Sequence, residues 1–154
     1  MATEGLALLL ASFAQAESSA PAPNRIDCSS FRTPEGIVTV IDQIAHVFFD
    51  SGGARIDEQG AAILDRYAAH VGVPPNCQLI VAAHADRVGP SDANRELSRR
   101  RADAVVTYLR SRGLVVPIAI KVFGETRPMV ETQDGVAEPQ NRRVELYVSE
   151  PRAP

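Results

Sequence analysis

Residues 84–102 read HADRVGPSDANRELSRRRA, and this segment joins a predicted strand to a predicted helix. The strand, residues 78–83 with the sequence QLIVAA, is short and apolar, and a polar turn with glycine and proline follows it. The helix is expected to begin at Ser91 or Asp92, because either side chain can cap its first turn, and to end just before Gly113. The segment is therefore one strand–turn–helix unit.

Two opposite charges within this unit are expected to lie close together. Asp86 lies at the end of the strand, and Arg101 lies on the helix, four residues after Leu97 and four before Val105. That spacing places Arg101 on the apolar stripe that should be buried. A buried guanidinium is costly unless an anionic group meets it. Two interpretations follow: a structural ion pair between Asp86 and Arg101, or a small site for a ligand that carries both charges.

The rest of the chain alternates strand and helix patterns. Apolar residues predict one strand or two short strands over residues 37–49, and a helix over 57–71. Two more strands are predicted over 118–123 and 143–148, the last with apolar residues at every second position. Strands that alternate with helices predict an α/β fold, with one helix layer packed against a sheet.

Length and charge restrict the class of protein. A chain of 154 residues is long enough for one domain with a real core. Its net charge of −3 shows no excess of basic residues of the kind that binds nucleic acid. No segment reaches the roughly 20 apolar residues of a membrane-spanning helix.

The beginning of the chain predicts export. Residues 6–16 read LALLLASFAQA and end in the small-x-small pattern of a secretory cleavage site, so residues 1–16 are interpreted as a signal peptide. No lysine or arginine precedes the apolar run, so either the true start lies upstream or the signal is weak. Residues 17–36 are expected to be a Pro/Ser-rich linker and extension. Cys28 lies twelve residues beyond the cleavage site, which does not support a lipid anchor.

The chain has two cysteines, Cys28 and Cys77. An even count in an exported protein suggests a disulfide, which would close a loop of about fifty residues and contribute roughly 4 kcal/mol. Two unpaired thiols, or pairing of Cys28 with another chain, are the alternatives.

Two further motifs lie downstream of the strand–turn–helix unit. Residues 124–128 read GETRP, and residues 141–144 read NRRV. In chain order, the patterns HxDxxG, NxxLSxxRA, GExxP and NRRV resemble the OmpA-like peptidoglycan-binding domain of outer-membrane porins, peptidoglycan-associated lipoproteins and flagellar stator proteins. The resemblance covers about residues 38–148, so the domain is expected over 37–149, with a tail at 150–154. It implies an α+β sandwich: a β-α-β-α-β core with an added strand, and helices on one face of a mixed sheet.

The resemblance also implies a ligand and the residues that bind it. In this family the ligand is the diaminopimelate residue of the peptidoglycan stem peptide, whose free end carries an ammonium and a carboxylate on one carbon. Asp86 matches the family's ammonium-binding acid, and Arg101 matches the arginine whose parallel N–H groups fit the carboxylate. Asp50 and its turn would form the opposite rim. Asn94 matches a hydrogen-bonding position of the family, and Leu97 matches a position that packs on the aliphatic stem of the ligand. Arg142 matches a position that makes a second contact with the peptide.

Three positions depart from the family's pattern. Ala85 replaces a threonine beside Asp86, Gly52 replaces a polar residue that reaches the ligand, and Glu138 replaces a basic residue. We therefore expect weaker binding or a variant stem peptide. The alternative, from a different class of function, is an OmpA-like scaffold whose pocket has drifted and which binds a periplasmic protein, with the extension before residue 34 as a candidate contact for an envelope protein.

An enzyme is not expected. His84 and Asp86 lie two residues apart at a strand end, and His46 could join them, but a metal site needs three ligands with supporting contacts. We interpret His84 as a hydrogen-bonded residue that shapes the Asp86 turn. No nucleophile motif or phosphate-binding loop occurs in the sequence, so no cofactor is expected. The expected location is the periplasm, in association with the cell envelope.

Overall fold

The computed structural model describes residue 28, residues 30–33 and 36–39, residues 44–71, residue 73 and residues 76–150. Within these ranges the strands are β1 (Ser30–Thr33), β2 (Gly36–Thr39), β3 (Ala45–Phe48), β4 (Gln78–His84), β5 (Ile118–Gly124) and β6 (Arg143–Ser149). The helices are α1 (Glu58–His70) and α2 (Ser91–Ser111), with a short 3-10 helix at Pro139–Asn141.

Four of the strands form one mixed sheet in the order β3-β6-β4-β5. β6 pairs antiparallel with β3 and with β4, while β4 and β5 are parallel and are joined through α2. The last strand therefore enters between the first and second strands of a β-α-β-α-β core. This arrangement confirms the predicted fold, including the added strand in the sheet.

The two helices begin in different ways. The side chain of Asp57 accepts a hydrogen bond from the Gly60 backbone N–H at 2.7 Å and caps α1. In α2 the capping position is Pro90, which makes no side-chain hydrogen bond, so the predicted cap at Ser91 or Asp92 is wrong. Both residues lie inside the first turn, where the negative charge of Asp92 suits the helix dipole.

The core lies between the sheet and the two helices. Its fully buried apolar residues come from every layer: Val47, Leu64, Leu79, Val81, Val105, Leu109, Val144 and Leu146. Arg101 is also fully buried on the stripe that the helix spacing predicts, whereas Arg99 and Arg100 are exposed. At 0% exposure, Arg101 is the largest fully buried side chain of this interior. The groups that contact it identify the site.

A disulfide joins Cys28 to Cys77, with Cα atoms 5.8 Å apart. It ties residue 28 to the residue just before β4. β1 and β2 form a separate antiparallel ladder, and β1 lies within the predicted extension 17–36, where the sequence patterns indicated no strand. The predicted signal peptide, residues 1–16, lies outside the described residues. Within the ranges that the structure covers, no helix has the length and apolarity needed to cross a membrane.

Candidate functional site

Arg101 anchors the site through three hydrogen bonds to main-chain oxygens. Its Nε donates to Gly53 O at 2.9 Å, its Nη1 to His84 O at 3.0 Å and its Nη2 to Asp50 O at 2.9 Å. The guanidinium lies 5.2 Å from the centroid of the Phe49 ring. Helix α2 thereby holds the end of β4 and the turn after β3 in one arrangement. Two of its five N–H groups, one on each Nη, bind nothing in the described residues.

The charge of Arg101 is maintained despite its burial. Burial lowers the pKa of Arg101 to about 10, and the negative charge of Asp86 opposes this effect. The positive charge of Arg142 adds to the lowering. The guanidinium therefore stays protonated at neutral pH, and the site contains two cations and one anion.

The carboxylate of Asp86 pairs with Arg142. Its Oδ2 accepts a hydrogen bond from Arg142 Nη1 at 3.1 Å and one from the Glu138 backbone N–H at 3.3 Å. The side chains of Asp86 and Arg142 are only 5% and 14% exposed. The structural ion pair between Asp86 and Arg101 is not formed; Arg142 takes that place. Oδ1 of Asp86 accepts no hydrogen bond from the part of the chain that the structure describes.

Arg142 is positioned by both of its neighbouring segments. Its Nε donates to Phe49 O at 3.0 Å, which links the residue before β6 to the residue after β3. The preceding 3-10 helix is capped by the Glu138 side chain, which accepts from the Gln140 backbone N–H at 3.0 Å. Glu138, which replaces a basic residue of the family's pattern, binds this backbone N–H.

Asn141 holds the long loop after β5. Its side-chain Oδ1 accepts from the backbone N–H groups of Met129 and Val130 at 2.7 and 2.9 Å, and its Nδ2 donates to Val130 O at 2.7 Å. Because Asn141 is fully buried, these bonds have no competition from water. The NRRV motif therefore combines a loop anchor, Asn141, with a site residue, Arg142.

Asn94 and Leu97 support the site from helix α2. Asn94 is buried, and its Nδ2 donates to Glu125 Oε2 at 2.6 Å. The GExxP motif makes this contact possible, since Gly124 has a φ of +57° and a side chain there would meet Arg95 Cα at 3.3 Å. Leu97 is buried one turn before Arg101. The sequence reasoning missed Glu125, although its place in a motif beside Asn94's helix was a usable signal.

His84 is not hydrogen-bonded as expected. Its ring stacks on Phe123 with centroids 5.1 Å apart, Nε2 lies 3.8 Å from Glu145 Oε2, and neither ring nitrogen has a hydrogen-bond partner. Burial and the positive charge of Arg143 lower the pKa of His84 to about 4. The negative charge of Glu145 raises this pKa, and the nearby Arg127 backbone raises it by less than Glu145 does. The contact with the Arg127 backbone does not have the geometry of a hydrogen bond. The ring is therefore neutral at neutral pH. Among the described residues no group of three metal-ligating side chains occurs.

The structure brings four of the six sequence-predicted residues to one place. Asp50 and Asp86 are joined there by Arg101 and Arg142, while Asn94 and Leu97 lie along the helix beside them. The sequence reasoning missed the main-chain acceptors, including Phe49 O. Such acceptors leave no residue-type signal, because any amino acid can supply a carbonyl.

Comparisons with known proteins agree with this fold. The model of the OmpA family matches residues 48–142. The peptidoglycan-associated lipoprotein of Pasteurella multocida is 33% identical over 101 residues, which are 65% of this chain and 67% of that protein. The probable lipoprotein YiaD of Escherichia coli is 30% identical over 118 residues, which are 76% of this chain and 54% of that protein.

Among solved structures, the peptidoglycan-associated lipoprotein from Burkholderia pseudomallei shares the fold with a TM-score of 0.62 and 24% identity, covering 72% of this chain and 94% of that one. The C-terminal domain of Helicobacter pylori MotB has a TM-score of 0.61 and 20% identity, covering 71% and 88%. The match of the family model to more than half of the sequence confirms the resemblance seen in the four motifs: the chain belongs to the OmpA family.

Proposed function

We propose that this protein binds peptidoglycan without catalysis, through the diaminopimelate zwitterion of the stem peptide. One observation carries the proposal: a nearly buried carboxylate, Asp86, lies beside two guanidinium groups and keeps one oxygen without a partner among the described residues. A ligand with an ammonium and a carboxylate on one carbon needs one acceptor and a nearby planar donor. The names of relatives such as the peptidoglycan-associated lipoprotein of Pasteurella multocida support peptidoglycan as the target.

Each charge of the ligand has a matching group. We assign the ammonium to Asp86 Oδ1, in low-dielectric surroundings that strengthen an ionic hydrogen bond. We assign the carboxylate to the two N–H groups of Arg101 that bind nothing in the described residues. Because Arg101 is fully buried, the ligand must displace neighbouring groups to reach them. Arg142 provides the second contact at the more exposed side of the site.

Two residues of α2 support the site. Asn94 fixes the start of α2 against Glu125, and Leu97 provides apolar surface for the aliphatic stem of the ligand. The proposed location is the periplasm, at the cell envelope. The disulfide between Cys28 and Cys77 suits an oxidising compartment, and relatives named lipoproteins and outer membrane proteins favour the same place.

Co-sedimentation with purified peptidoglycan sacculi tests the proposal. The wild-type protein should sediment with the wall, while Asp86→Asn, which keeps the shape but removes the charge, should remain in the supernatant. Asp92→Asn removes one exposed carboxylate at the start of α2 and should sediment like the wild type. A folded wild-type protein that stays in the supernatant at low salt would refute wall binding.

A second candidate function is a drifted scaffold that binds a periplasmic protein. The ion pair between Asp86 and Arg142 favours it, because a cation 3.1 Å from Oδ2 already balances the charge of Asp86. The two functions differ in the sacculus experiment, since only the first requires the charge of Asp86 for sedimentation.

A further inference from the structure

A groove of about 310 Å³ adjoins the Asp86 site. Its lining consists of Phe48, Phe49, Asp50, Asp57, Pro139 and Gln140. Two of these residues also contact the arginines of the site: Phe49 O accepts from Arg142 at 3.0 Å, and Asp50 O accepts from Arg101 at 2.9 Å. A ligand in the Asp86 site that extends beyond the turn after β3 therefore reaches this groove.

Phe48 gives the groove an aromatic wall. Strand β3 alternates, so Val47 is fully buried in the core while Phe48 lies on the opposite face and is 45% exposed. Its nearest described aromatic neighbour, His46, lies 6.1 Å away between ring centroids and leaves much of the ring uncovered. An exposed ring beside polar groups is typical of a ligand site, because it offers flat apolar surface at a small entropic cost.

The polar groups of the groove are mostly acceptors without partners. The carboxylate of Asp50 and the side-chain amide of Gln140 make no hydrogen bond to the described part of the chain. Asp57 Oδ1 caps α1, and Asp57 Oδ2 accepts no hydrogen bond from the described residues. These groups can bind hydroxyl hydrogens, and the amide can also donate.

Charge distinguishes between the possible occupants. Two carboxylates repel the acidic groups of a stem peptide, and the free ammonium of that peptide is assigned to Asp86. A neutral ring with many hydroxyl groups satisfies both the carboxylates and the aromatic wall. We propose that this groove binds a sugar ring of the peptidoglycan glycan strand, an inference that rests on the proposed function.

Calorimetric titration of the full chain with two ligands tests the inference: the stem tetrapeptide alone, and the same peptide attached to its disaccharide. The disaccharide–peptide should bind about tenfold more tightly, the size expected for one aromatic contact. Phe48→Ala should remove this advantage and leave the affinity for the free peptide unchanged. Ile120→Ala, which shortens another exposed apolar side chain, should keep it.

The outcomes separate the two proposals. Equal wild-type affinity for both ligands would overturn the sugar site and leave peptide binding intact. Phe48→Ala could instead weaken the binding of both ligands equally, with unchanged thermal stability. That result would mean that the groove binds peptide, and it would also overturn the sugar site. Failure of the wild-type protein to bind either ligand would overturn both proposals, whereas binding of the disaccharide–peptide alone would overturn only the zwitterion assignment.

Discussion

Replacing Arg101 with alanine is expected to lower the free energy of unfolding by about 4 kcal/mol. The change removes three hydrogen bonds from a charged donor to main-chain oxygens, one buried and two part-buried, at 2.9 to 3.0 Å. Such bonds contribute about 1.5–3 kcal/mol each. The unfavourable burial of the charge, seen in the lowering of the Arg101 pKa to about 10, offsets roughly 3 kcal/mol of that sum.

Urea unfolding followed by circular dichroism measures this effect. Arg100→Ala is the matched control, because Arg100 is the exposed neighbour on the same helix and should change stability by less than about 0.5 kcal/mol. Arg101→Lys should give an intermediate loss, since an ammonium cannot reproduce the planar fork that meets three carbonyl groups. A loss below about 1 kcal/mol for Arg101→Ala would refute the view that this side chain holds the site together.

Three further changes probe the stability of the fold. Between pH 7 and 5 the buried His84 should lower stability by about 2 kcal/mol, because its folded pKa of about 4 is below the unfolded value of 6.5; unfolding at both pH values should show a smaller loss for His84→Phe. Gly124→Ala should cost about 2 kcal/mol in urea unfolding, since φ is +57° and Arg95 Cα is 3.3 Å from the added carbon, whereas Gly113→Ala, with open space around it, should cost less. Reduction of the Cys28–Cys77 disulfide, which closes a loop with a sequence separation of 49, should cost about 4 kcal/mol; an unchanged melting temperature after reduction would contradict this.

The fold was largely predictable because its periodic patterns are strong. The spacing of Leu97, Arg101 and Val105 predicted their shared buried stripe, and the alternation over 143–148 predicted β6. Strand β1 was missed, since four residues within a segment next to a Pro/Ser-rich stretch carry too little periodicity to distinguish a strand from an extension.

The charged partners in the site were less predictable. Sequence placed Asp86 and Arg101 close together, but it could not show that Arg101 binds carbonyl groups or that Asp86 binds Arg142, fifty-six residues away along the chain. His84 was expected to be a hydrogen-bonded residue that shapes the Asp86 turn, and buried polar groups are usually hydrogen-bonded. Its ring instead packs as an aromatic surface on Phe123, a role that residue type alone does not reveal.

The most direct test of the central claim is calorimetric titration of the full chain with free diaminopimelate, beside Asp86→Asn and the control Asp92→Asn. We predict that the wild-type protein and Asp92→Asn bind the amino acid and that Asp86→Asn does not, with melting temperatures that show all three proteins folded. Binding by Asp86→Asn as strong as that of the wild type, or no binding by the folded wild-type protein, would contradict the account.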